Sequence, residues 1–160
     1  MSTQNNSALE VKWALLCKNA SIDQQSNQVS LFNILEELTI NKGPLSTSVV
    51  KKSSSFSDNT QIPGEFTLVV QFEKHAKEGT PSFQPEMELK IVDPDGDLIS
   101  SNILPLNFEE NKNRLRAIVA FSAFVVKNPG VYNYVVSIRS SKKEAFEEAT
   151  RVPVDVKIFE

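Results

Sequence analysis

The sequence has one cysteine, one histidine, no long apolar run and no excess of basic charge, and each shortage excludes a class of protein. Cys17 cannot form an internal disulfide, which fits a reducing compartment. No apolar run approaches the roughly 20 residues of a membrane-spanning helix, and Trp13 to Cys17 is too short for a signal-peptide core. A net charge of -3 supplies no basic field that attracts nucleic acid. We therefore expect a cytoplasmic protein with neither nucleic-acid nor membrane partners.

Common catalytic and cofactor-binding patterns are also missing. There is no Gly-rich phosphate loop, dinucleotide fingerprint or metal-spaced Cys/His cluster, so we expect no cofactor. No Gly-x-Ser-x-Gly elbow accompanies His75, and a solvated loop histidine is favoured over a hydrolase base. Cys17 shares a strand face with Trp13 and Leu15, which indicates a buried small hydrophobe rather than a nucleophile. The sequence predicts a non-enzymatic protein with no catalytic, cofactor-binding or metal residues.

Length and composition fit one domain. The chain has 160 residues, of which 40% are apolar, enough for one buried core. Residues 1–8 are polar and aperiodic, so we expect a disordered N-terminal tail followed by a single domain over 9–160. Residues 41–61 are rich in serine, asparagine and lysine, and they are predicted to form a long polar loop.

Apolar and polar residues alternate in several short segments, which is the period of β-strands. Gly64–Lys74 shows the pattern most clearly. Arg114–Lys127 is apolar on both faces, with Ile118 and Phe124 on the second, which indicates a central strand or a face that meets a partner. Val29–Ile40 has apolar residues at both helical and strand spacing, and we predict two strand halves joined by a β-bulge.

Turn chemistry separates these segments. Asp93-Pro94-Asp95-Gly96 predicts a bulged β-hairpin, since Pro94 presets φ and Gly96 accepts a left-handed conformation. Asn128-Pro129-Gly130 is predicted to join the strands on either side of it into an antiparallel hairpin. A capping box at Ser141–Glu144 predicts one short helical turn near 142–149, and Pro153 suggests that the last strand is an edge strand.

The sum is about eight short strands with turns between them. This pattern is typical of an all-β protein that forms a single antiparallel β-sandwich, immunoglobulin-like or similar.

Five short motifs occur in an order that resembles a family of small bacterial proteins known only as a domain of unknown function. These motifs are Ala14-Leu15-Leu16-Cys17, Val29-Ser30-Leu31-Phe32-Asn33-Ile34, Phe66-Thr67-Leu68-Val69-Val70, Val92-Asp93-Pro94-Asp95-Gly96 and Pro129-Gly130-Val131-Tyr132. The resemblance covers most of the chain, from about Trp13 to Ile158. It implies a small sandwich-like fold and a bacterial origin, and it brings no activity or site residue. The loop over 41–61 and the excursion over 142–149 depart from the family pattern.

Three groups of charged residues are candidate sites. Asp93, Asp95 and Asp97 share one loop and offer oxygens that suit calcium, but ordinary turn chemistry is favoured. The loop over 41–61 is positively charged because it contains Lys42, Lys51 and Lys52. This charge suits an acidic partner, but a solvated loop is favoured. Surface charge is favoured over a glycosidase carboxylate pair for the remaining acids, which are Glu109, Glu110, Glu144, Glu147 and Glu148.

The main functional hypothesis is therefore a protein-interaction module with an unknown protein partner. It depends on the second apolar face of Arg114–Lys127 and on the long loop. A carbohydrate- or calcium-binding sandwich is the alternative, and a hydrolase centred on His75 is less favoured.

Overall fold

A computed structural model describes residues 8–41, 60–77, 80 and 82–159. Nine strands form in this part of the chain, and it contains no helix long and apolar enough to cross a membrane. The strands are β1 (Leu9–Ile22), β2 (Val29–Ile34), β3 (Glu37–Asn41), β4 (Thr60–Lys74), β5 (Glu86–Val92), β6 (Leu98–Pro105), β7 (Arg114–Val126), β8 (Gly130–Arg139) and β9 (Glu147–Phe159). The expected tail over 1–8 and loop over 41–61 lie almost entirely outside the described residues.

The strands form two sheets that pack face to face. One sheet has the order β2-β1-β4-β7, and the other has the order β3-β9-β8-β5-β6. Every pair is antiparallel except β3 and β9, which run parallel. The neighbours β4-β7 in one sheet and β9-β8-β5 in the other correspond to the B-E and G-F-C neighbours of immunoglobulin-type domains. The predicted β-sandwich is confirmed.

The core lies between the sheets, where alternate residues of each strand face inward. Phe66, Leu68, Val70 and Phe72 of β4 are buried, as the alternation over Gly64–Lys74 predicts. They meet the inward residues of the opposite sheet, which include Met87, Leu89, Tyr132, Tyr134, Val136, Val152, Val154 and Val156. Phe66 stacks on Phe121 and Phe124, and the edge of Tyr134 meets both Phe66 and Phe121. This aromatic cluster joins β4 and β7 to β8.

The segment Val29–Ile40 is two strand halves, but the predicted β-bulge between them is wrong. Strand β2 pairs with β1 in one sheet, whereas β3 pairs with β9 in the other. The chain changes sheet at Leu35 and Glu36, where the Leu35 N–H donates to the Leu16 carbonyl and the Glu36 carbonyl accepts from the Asp155 N–H. Leu35 is buried in the core. The shift in apolar phase therefore marks a crossing between sheets.

The predicted hairpin at Asn128-Pro129-Gly130 is also wrong. Strand β7 pairs with β4, while β8 pairs with β5 and β9 in the opposite sheet. The corner is held by Tyr132, whose hydroxyl accepts from the N–H groups of Lys127 and Asn128 and donates to the Asn128 carbonyl at 2.8 Å. The same arrangement is the tyrosine corner of immunoglobulin-type sandwiches, where the chain passes from one sheet to the other.

The predicted helical turn near 142–149 is absent. Similar side-chain contacts form in place of the capping box, since the Lys143 N–H donates to the Ser141 hydroxyl and the Ser140 N–H donates to the Glu144 carboxylate. A turn results, and the chain enters β9 at Glu147 because this strand pairs with β8.

The edge interpretation of Pro153 is wrong for β9 as a whole, since β9 lies between β3 and β8. Pairing of β9 with β3 begins at Asp155, two residues after Pro153. The position of the missing Pro153 N–H is on the same side of β9 as the Asp155 N–H, so it lies beyond the end of β3 and no hydrogen bond to that strand is lost.

The hairpin of β1 and β2 folds back over the outer face of the four-stranded sheet. Trp13, Gln71 and Arg116 are cross-strand neighbours on this face. If β1 ran straight beyond Trp13, Ile22 would lie about 30 Å from Trp13 and its cross-strand neighbours. Instead, Arg116 donates to the Asn27 carbonyl at 2.7 Å, and Ile22 lines a cleft with Gln71. The chain therefore covers part of its own outer face.

Candidate interaction surface

Strand β7 is the longest free edge of the described structure. Within the described residues it pairs with β4 alone, so its other side presents unpaired backbone groups. Residues 117–126 (Ala-Ile-Val-Ala-Phe-Ser-Ala-Phe-Val-Val) contain no charge, proline or glycine. Charged residues flank this stretch: Arg114 and Arg116 lie at the start of β7, and Lys127 follows its last residue. Soluble proteins normally protect such an edge with lysine, proline or a bulge, because it is a template for pairing with another chain.

Strand β6 is the corresponding edge of the other sheet. Strands β1 and β9 contact each other on one side of the sandwich, so β6 and β7 are the edges on the opposite side. Strand β6 is shorter, and polar residues at 100–102 and Pro105 at its end make it a poorer template. Strand β7 is therefore the stronger candidate for an interaction surface.

The second apolar face expected for Arg114–Lys127 exists in part. Ile118 lies opposite Val69 on the outer face and is 47% exposed. Phe124 and Val126, however, belong to the core, and the ring centroid of Phe124 lies 3.9 Å from that of Phe66. The pairing of β4 with β7 is irregular where β4 passes from Pro63 to Phe66, and this irregularity changes the face to which later residues of β7 point. The outward apolar surface is thus centred on Ile118.

The aspartates of the β5–β6 hairpin are used by the fold. One Asp93 carboxylate oxygen accepts from the Asp95 N–H at 3.0 Å and the Asp97 N–H at 2.8 Å, which is the turn chemistry expected from the sequence. Lys127 donates to Asp97 and lies 3.8 Å from the buried carboxylate of Asp93, while the Asn128 amide donates to Asp95. The carboxylates therefore dock the hairpin onto the β7–β8 corner.

We expect millimolar calcium to leave the melting temperature of the protein unchanged. A calcium ion at this turn would have to displace Lys127 from the aspartates, and it would have to break the two hydrogen bonds that Asp93 accepts from backbone N–H groups. Thermal unfolding with calcium and with EDTA measures this directly, and Asp95→Ala is the matched variant. A calcium-dependent rise that Asp95→Ala abolishes would contradict the expectation and favour the calcium-binding alternative.

The two reactive side chains noted in the sequence lie in different environments. Cys17 is fully buried, and burial raises the pKa of its thiol, which opposes a nucleophilic role. His75 is about half exposed, as expected, but its ring nitrogen Nε2 lies 2.9 Å from a carboxylate oxygen of Glu10. Sequence reasoning missed this pairing. Glu73 joins the same group, and Glu73-x-His75 at strand spacing was its only local sign.

The other charged candidates behave as surface groups. Glu109 pairs with Lys112 and Glu148 with Arg151, each three residues apart, and Glu144 caps the turn before β9. Lys42, Lys51 and Lys52 lie outside the described residues.

Comparison with known proteins identifies no family. No family profile matches the chain, and no curated protein matches it. A similar solved structure is the Bifidobacterium dentium beta-glucuronidase complexed with coumarin-3-O-glucuronide, at 10% sequence identity and a TM-score of 0.44. The match covers 94% of this chain and 18% of that chain. This chain therefore spans less than a fifth of the enzyme, and the likeness carries no conclusion about activity.

Proposed function

We propose that the protein is a non-enzymatic interaction module that binds an extended segment of a protein partner along the free edge of β7. The observation that carries the proposal is the unprotected edge itself: ten consecutive uncharged residues on a strand that, in the part of the chain the structure describes, pairs on one side only. The buried, unpaired thiol of Cys17 supports a reducing cytoplasm as the setting.

The chemistry of the edge suits strand addition. In this mode, backbone hydrogen bonds supply affinity, and side chains that alternate above and below the strand supply specificity. Ile118 and Ala120 are both exposed on the outer face of β7, and both pair across the sheet with residues of β4. The partner segment is therefore expected to be uncharged and apolar on the face that lies beside these two residues.

Photo-crosslinking in the native cell tests the proposal. A photoreactive amino acid at position 118 is expected to give a discrete adduct with one partner, and Ala120→Lys is expected to reduce the adduct at least fivefold, because a lysine on an edge strand opposes further pairing. Mass spectrometry of the adduct identifies the partner segment.

Ser101→Lys is the matched control, since Ser101 is an exposed small residue on the other edge strand, β6. It should leave the adduct at its wild-type level. If the adduct persists in Ala120→Lys, or if a probe at Lys90 on the opposite outer face captures the same partner equally well, the β7 edge is not the binding surface.

A further inference from the structure

Three side chains with metal-binding donor atoms converge at one end of the outer face of the four-stranded sheet. Glu10 of β1 lies directly across from Glu73 of β4, so the two side chains share a face. His75 follows Glu73 by two residues and points to the same side. Its backbone is fixed because its N–H donates to the Ala8 carbonyl at 2.9 Å, which extends the β1–β4 ladder past the end of β4.

The donor atoms are already close enough to share one ion. One donor atom from each of the three side chains lies within 4.8 Å of the other two, and His75 Nε2 lies 2.9 Å from Glu10 Oε2. Ligands of a tetrahedral ion with bonds of about 2.0–2.2 Å lie roughly 3.4 Å apart. Small side-chain rotations suffice to reach that spacing, since all three groups are at least partly exposed.

We propose that Glu10, Glu73 and His75 bind a divalent transition-metal ion, with zinc as the probe of choice. One imidazole and two carboxylates form a mixed nitrogen and oxygen donor set, which suits zinc and its first-row neighbours better than calcium or magnesium. Three protein ligands leave one tetrahedral position for water. The site lies on β1 and β4, so it is independent of strand addition at β7.

Lys12 identifies what a metal ion must displace. Its ammonium nitrogen lies 3.4 Å from a carboxylate oxygen of Glu10 and 3.4 Å from one of Glu73, where its single positive charge offsets part of the repulsion between the two carboxylates. The Lys12 side chain is 40% exposed, so it is free to turn into solvent when a divalent ion takes its place. A metal site therefore predicts that removing this charge tightens binding, whereas a plain ion-pair cluster predicts no specific affinity in either form.

The single histidine makes the test direct. An imidazole nitrogen–proton correlation spectrum contains the signals of His75 alone. We expect zinc to shift its Nε2 resonance saturably. Titration calorimetry should show one zinc ion per chain, at least tenfold weaker binding in His75→Gln, and about fivefold tighter binding in Lys12→Gln at low salt, because a like charge near the ion is removed.

Glu37→Gln is the matched control, because Glu37 forms a comparable exposed pair with Lys157 on the other sheet, and it should leave zinc affinity unchanged. Calcium and magnesium should leave the His75 resonances in place. The proposal is overturned if millimolar zinc does not shift these resonances, if His75→Gln binds zinc as the wild type does, or if Lys12→Gln fails to tighten binding. None of these outcomes alters the crosslinking result expected at β7.

Discussion

Phe124→Asp is expected to destroy cooperative folding. Phe124 is 7% exposed, and its ring stacks on Phe66 with an interplanar angle of 11°. Removing a buried aromatic ring typically costs about 3–5 kcal/mol, and an unpaired carboxylate in its place adds the cost of burying or neutralising a charge. This total reaches the whole stability of an ordinary domain, about 5–15 kcal/mol. Urea unfolding followed by near-ultraviolet circular dichroism should show no folded baseline.

Ile118→Asp is the informative control, because both residues lie on β7 and the sequence places both on one face. Ile118 is 47% exposed, so its replacement should change the free energy of unfolding by no more than about 1 kcal/mol. Equal losses in the two variants would show that Ile118 is also part of the core, and the surface proposed on β7 would then lose the large outward apolar side chain on which it is centred.

Local turn chemistry was predictable from the sequence. The β5–β6 hairpin forms as expected, because Asp93 and Gly96 act on backbone atoms within four residues of them. The alternation of Phe66 and its neighbours likewise identified the core face of β4, since burial on one face of a strand needs no knowledge of the partner.

The sheet to which each strand belongs could not be predicted in the same way. The turn signals at Asn128-Pro129-Gly130 are as strong as those at the β5–β6 hairpin. The β5–β6 hairpin stays within one sheet, whereas the chain crosses from one sheet to the other at Asn128-Pro129-Gly130. The difference is decided by the pairing of β8 with β5, a strand that is distant in sequence. Ser141–Glu144 forms a turn rather than a helix because the strands on either side of it, β8 and β9, pair with each other.

The candidate metal cluster depends on register alone. Glu10 and Glu73 become neighbours only because β1 pairs with β4 in one particular alignment, and a slip of one residue would place them on opposite faces. The free edge of β7 was likewise not evident, since apolar residues on both faces are equally typical of a central strand.

Gly130→Ala is expected to lower the free energy of unfolding by about 3 kcal/mol. Gly130 opens β8 at φ 135°, a conformation that other residues adopt at a cost of about 1–3 kcal/mol. A Cβ there would also lie 2.8 Å from the Cβ of Pro94, so the β5–β6 turn would have to move away from the corner. That movement strains the contacts of Asp93 and Asp95 with Lys127 and Asn128, on which the docking of the turn depends.

Two other glycines separate these causes. Gly96 has φ 89° and open space around it, so Gly96→Ala tests the backbone strain alone and should cost about 1 kcal/mol. Gly64 has neither a positive φ nor a close neighbour, and Gly64→Ala should be neutral or slightly stabilising. In urea unfolding, the free energy of unfolding should therefore be much lower for Gly130→Ala than for Gly96→Ala, and lower for Gly96→Ala than for Gly64→Ala. If Gly130→Ala and Gly96→Ala lose equal stability, contact with Pro94 contributes nothing, and the turn is not held against the corner.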